Sequence, residues 1–85
     1  MDPARTTPLS LKAVIAGVLE IDSARLDENS GINVTENWDS LNQCMIMAAV
    51  ERDFDARLAF RDMEDVSSVG AIRTFLLRQG IVAAD

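Results

Sequence analysis

Asp39, Ser40 and Leu41 are the residues of this chain whose types and spacing could do chemistry. Ser40 opens an apolar helical stretch, so its hydroxyl stands at a helix N-terminus. Free backbone N–H groups and the positive end of the helix dipole favour an anion there, which makes the hydroxyl a good place to carry a phosphate. Asp39 would repel that phosphate unless its carboxylate serves something else, such as helping to hold a metal ion on a modifying enzyme. Read plainly, Ser40 is an N-cap, and Ser40 with Gln43 has the spacing of a capping box.

Most other chemistry is excluded by residue type. The chain has no His, so it has no Ser-His-Asp triad, no Cys-His pair and no imidazole metal ligand. Its single Cys44 can form neither an internal disulfide nor a zinc site, and points to a reducing, cytoplasmic setting. No carboxylate pair stands out by spacing for acid-base work. Asp62, Glu64 and Asp65 could chelate a divalent cation weakly but read better as a solvated helix cap. No resident metal is expected.

Eighty-five residues with a formal net charge of −6 fit one small acidic domain. Such a chain is a poor binder of nucleic acid and has no attraction to anionic lipid. The N-terminal residues lack the apolar run of a signal peptide, and the longest uncharged apolar stretch, Ala13 to Leu19, is too short to span a membrane.

The elements that must position Ser40 follow from periodicity. Leu11, Val14, Ile15, Val18 and Leu19 have the spacing of an amphipathic helix, placed at about 8–21 with Thr7 as cap and Pro8 first. Residues 22–38 are rich in turn formers, and Leu26, Ile32, Val34 and Trp38 are expected to pin this long loop. A second helix starts at Asp39 or Ser40 and runs to about Phe54. A short piece follows at about 62–66, capped by Asp62. A last helix starts at Ser67 or Ser68 and ends at Gly80, with Ile81 beyond. No run alternates convincingly between apolar and polar residues, so no strand is expected. The fold class is all-α: a small four-helix bundle with three main helices, one short helix and a long first loop. The ordered core should span about 8–80, with short loose ends.

The second helix carries two apolar stripes where a small bundle needs one. Ile46, Met47, Val50 and Phe54 share one side; Leu41, Cys44, Met45 and Ala48 share the other. No charged residue lies between Ser40 and Val50. Either the helix is buried on two sides, or the second stripe is a docking surface for a partner.

Trp38-Asp39-Ser40-Leu41, at the start of the second helix of a short acidic helical chain, resembles the attachment site of acyl carrier proteins. Glu51-Arg52-Asp53-Phe54 with Asp55 resembles the end of that family's second helix, and Ser67-Ser68-Val69-Gly70-Ala71-Ile72 the start of its last one. The likeness covers roughly residues 9 to 79. It implies 4'-phosphopantetheine attached to Ser40 by a phosphopantetheinyl transferase, with Asp39 recognised by that enzyme and Leu41 beside the arm. It implies a non-catalytic, monomeric carrier that holds acyl or aminoacyl groups as thioesters. A loading enzyme and synthase or transferase enzymes would be its partners. Leu41, Cys44, Met45, Ala48 and Glu51 would form the docking face, and Ile46, Val50, Phe54, Met63 and Ile72 would line an acyl pocket or simply form core. Cys44 could accept the acyl group, or be only a small apolar residue of the docking face.

The sequence departs from the family in one respect. Fatty-acid carriers place acidic residues just after the Leu and a turn later, where this chain has Asn42 and Met45, and Arg52 follows Glu51. This favours a carrier of a specialised pathway, such as polyketide or nonribosomal peptide synthesis, over a housekeeping fatty-acid carrier. Met1 and the short Val82–Asp85 tail point to a stand-alone protein. The competing class is a helical interaction module that uses the same exposed stripe without any arm.

Overall fold

The computed structural model describes residues 5–85. Helix α1 spans Leu11–Leu19, α2 Ser40–Phe54 and α3 Val69–Arg78. A short 3-10 helix at Phe60–Asp65 is the fourth member of the bundle, and a single 3-10 turn at Ser23–Arg25 interrupts the long first loop. The all-α bundle expected from periodicity is the fold observed.

Helix α1 begins three residues later than expected. Its cap is Ser10, whose Oγ accepts the Ala13 N–H at 3.0 Å, and not Thr7. The reason is a small parallel pairing that no alternation announced: β1 (Arg5–Thr6) lies beside β2 (Ile81–Val82). Residues held extended by this pairing cannot open a helix. The tail expected to be loose is tied down further, because Ala84 donates to the Leu9 carbonyl and Lys12 to that of Asp85.

One apolar cluster fills the bundle. Leu11, Ile15 and Leu19 from α1 meet Ile46, Met47, Val50 and Phe54 from α2, with Val69, Ile72 and Leu76 from α3. Without a glycine at their C-termini, α1 and α2 stop on Glu20 and Asp55, both at left-handed φ. Gly80, at φ 76, plays that part after α3, and its N–H reaches the Leu77 carbonyl at 2.9 Å.

The 3-10 helix starts two residues earlier than expected, and Asp62 is not its cap. Asp62 sits inside it and reaches back, its Oδ2 accepting the Ala59 N–H at 3.0 Å.

The long loop is pinned by three of the four expected residues. Trp38 and Leu26 are buried and Ile32 packs against the core, but Val34 is 81% exposed. Backbone bonds to the start of α3 hold the loop in place of Val34. Ile32 donates to Ser67, Val69 to Ser30 and Gly70 to Glu28, at 2.9–3.0 Å. Gly31 lies so close to this seam that a Cβ there would collide with the Ser67 carbonyl.

Candidate functional site

Asp39, and not Ser40, caps α2. Its Oδ1 accepts the Asn42 N–H at 2.8 Å, so the capping box of Ser40 with Gln43 does not form. Asp39 can do this because its backbone is extended, the conformation an N-cap requires, while Ser40 is already helical. Ser40 is therefore exposed at the first helical position, and its hydroxyl has no hydrogen-bond partner among the described residues. The N–H groups of Ser40 and Leu41 also lack an acceptor among these residues, so they add to the positive end of the helix dipole.

The ground beneath Ser40 is rigidly built. Trp38 is 1% exposed, and its indole Nε1 donates to Gln43 Oε1 at 2.6 Å. Gln43 Nε2 in turn donates to the Val66 carbonyl at 2.7 Å. On the other side, Asn37 at φ 67 sends its side-chain amide to the Leu19 carbonyl at 2.9 Å, and the Asn42 amide reaches the Asn37 carbonyl at 2.6 Å. The first turn of α2 is thus tied to the end of α1 and to the segment before α3.

Gln43 is the residue that sequence reasoning misplaced. It is buried with both ends of its amide bonded, and it starts the core-facing row that continues through Ile46, Met47 and Val50. The signal was available: a polar side chain at i−3 and i−4 from two core residues, near an indole N–H that needs an acceptor when buried.

Leu41, Cys44, Met45 and Ala48 are all exposed, Leu41 at 72% and Met45 at 54%. They lie on the face of α2 away from the cluster, downstream of Ser40. Glu51 is half-buried, and its Oε2 accepts the Leu58 N–H at 3.2 Å, which fixes the chain leaving α2. Beyond it, the hydrogen bond from Arg52 holds the Asp53 carboxyl below its ordinary range.

Of the five acyl-pocket candidates, Ile46, Val50, Phe54 and Ile72 are buried in the cluster and Met63 packs partly against it. They do not line an open groove of about 530 Å³ that runs between the 3-10 helix and α3. Asp62, Asp65, Phe75 and Arg78 are among the residues that line it. Among the described residues, no three His, Cys, Asp or Glu side chains gather as a metal site, and no helix is long and apolar enough to cross a membrane.

No family model matches the chain. Two curated proteins do, both named acyl carrier protein. One, from Chlamydia felis (strain Fe/C-56), is 31% identical over 71 residues, which are 82% of this chain and 91% of the relative. The other, from Chlamydia caviae, is 30% identical over 71 residues, 82% of this chain and 92% of the relative. A small helical bundle with these relatives defines a carrier, a class of protein that holds acyl groups for partner synthases and transferases and is not itself a catalyst. The chain belongs to the acyl carrier protein family. That membership implies a phosphopantetheine group, and the free hydroxyl of Ser40 beside two unpaired N–H groups fits a phosphodiester.

Proposed function

We propose that this chain is a carrier modified on Ser40 with 4'-phosphopantetheine, serving a specialised biosynthetic pathway. The carrying observation is the division of labour at the start of α2. Because Asp39 takes the capping bond, the Ser40 hydroxyl is exposed and uncommitted. In the modification by a phosphopantetheinyl transferase, the Ser40 oxygen bonds to the phosphorus nearer the pantetheine of coenzyme A. Its proton is lost and the nucleotide half leaves. The bound group supplies a terminal thiol that holds an acyl or aminoacyl group as a thioester. Asp39 keeps its second carboxylate oxygen for the metal-bearing transferase. Leu41, Cys44, Met45 and Ala48 offer partner enzymes an apolar, uncharged face, with Glu51 at its far end. The absence of charge from Ser40 to Val50 supports the specialised role over fatty-acid synthesis, where acidic residues would do the docking.

Intact mass spectrometry tests this reading. Incubation with coenzyme A and a broad-specificity transferase should add one phosphopantetheine to the folded protein and none to Ser40→Ala. No addition to folded wild-type protein would overturn it.

A further inference from the structure

We propose that Asn42 is a positioning residue for the modification of Ser40: its side-chain amide holds α2 in the register that leaves the Ser40 hydroxyl free. The inference rests on attachment at Ser40. Asp39 and Ser40 both suit the cap of α2, and Asp and Ser cap helices about equally well. With Ser40 as cap, its Oγ would accept the Gln43 N–H and the hydroxyl would be committed. In the structure that N–H goes instead to the Asp39 carbonyl at 2.8 Å, and Asp39 Oδ1 accepts the Asn42 N–H. The two registers exchange one capping bond for another, so a further contact decides between them.

Asn42 supplies it. Its Nδ2 donates to the Asn37 carbonyl at 2.6 Å, a bond that straddles Asp39 and Ser40. To become the cap, Ser40 would pass from helical to extended backbone. The rise at that residue would grow from about 1.5 Å to about 3.3 Å, which carries Asn37 out of hydrogen-bond reach of Asn42. Asn37 is held back from following, because its own amide is bonded to the Leu19 carbonyl at 2.9 Å. The Trp38–Gln43 bond also spans Ser40 and opposes the same shift. Asn42 can be changed with less damage than Gln43, since the Asn37 carbonyl also accepts the Asp39 N–H at 3.2 Å and keeps a partner.

The test measures kcat/KM of a phosphopantetheinyl transferase with coenzyme A, together with the Cα and Cβ carbon shifts of Asp39 and Ser40, which tell a cap from a helical residue. In wild-type protein Ser40 should show helical shifts. Asn42→Ala should move them toward those of a cap and lower kcat/KM about threefold to tenfold, the equilibrium factor carried by one hydrogen bond. Asn42→Asp keeps the shape and lacks the donor, and its charge suits the first turn of a helix, so it should fold and lose rate in the same way. Cap-like Ser40 shifts in wild-type protein, or unchanged shifts and rates in the folded variants, would overturn the proposal. Faster modification of Asn42→Asp would overturn it too and would show acidic docking at that place. Unfolding of both variants would make Asn42 a purely structural residue and would also overturn it. Failure of folded wild-type protein to gain the arm would overturn the Ser40 reading, and this one with it, whatever the shifts.

Discussion

The indole N–H of Trp38 and the side-chain carbonyl of Gln43 meet at 2.6 Å in a site otherwise closed to solvent, five residues apart across the start of α2. This bond fixes the residue before the Asp39 cap against the first core-facing residue of the helix. The Gln43 amide carries the link to Val66, just ahead of α3. The placement of Ser40 thus depends on contacts well beyond its own tripeptide.

Replacing Gln43 by Leu leaves the Trp38 N–H and the Val66 carbonyl buried without partners. The expected loss is about 1–3 kcal/mol of unfolding free energy, the usual cost of stranding buried polar groups. Urea unfolding followed by the fluorescence of Trp38, the single Trp of the chain, measures it directly. A change within error would mean that the bridge contributes nothing.

Stability and modification should separate at residues 39 and 40. Ser40→Ala touches no cap and no buried group, so its stability should stay within about 0.5 kcal/mol of wild type while modification is lost. Asp39→Ala removes the bond to the Asn42 N–H and should cost about 0.5–2 kcal/mol. Asp39→Asn keeps a capping oxygen and should be near wild type in stability, yet slower in the transferase reaction, because it lacks the charge. Denaturant melts and timed mass spectra on the three variants resolve these effects.

How much of this was legible beforehand depends on the range of the interactions. The 3.6-residue periods of α1, α2 and α3 are local, and they marked the helices and the buried side of α2. Caps were less secure because neighbouring residues compete for them. Asp39 and Ser40 both suit an N-cap, and only the backbone angle of Asp39 decided between them. The pairing of Arg5–Thr6 with Ile81–Val82 was invisible, since two-residue strands carry no alternation and their partners are remote in sequence. Val34 misled because its type suggested burial, whereas Leu26, Ile32 and Trp38, with backbone bonds to the start of α3, hold the loop without it.

Gly31→Ala probes that loop. Its added methyl would collide with the Ser67 carbonyl, and backbone cannot move aside as a side-chain tip can. The Gly31–Ser68 bridge and the Ile32–Ser67 bond should weaken, at a cost of about 1–3 kcal/mol, as for overpacking in a core. Faster amide exchange at Ile32 and Val69, with α1 unaffected, would place the damage at the seam.

The exposed stripe on α2 makes the last prediction. Leu41 is 72% and Met45 54% exposed in the free protein, so Leu41→Ala should change stability by no more than about 0.5 kcal/mol and Met45→Ala by no more than about 1 kcal/mol. Their apolar surface is valuable only if a partner covers it. Each Ala variant should therefore raise the KM of the transferase for the carrier while leaving the final extent of modification complete. The double variant should raise it further. A charge in the same place is a stronger test, because Met45→Glu would put a carboxylate into an apolar contact without disturbing the fold. If docking were instead acidic, as in a fatty-acid carrier, Met45→Glu would strengthen it and lower the KM. The sign of that one change therefore separates the two kinds of handshake, and steady-state kinetics at constant ionic strength reads it.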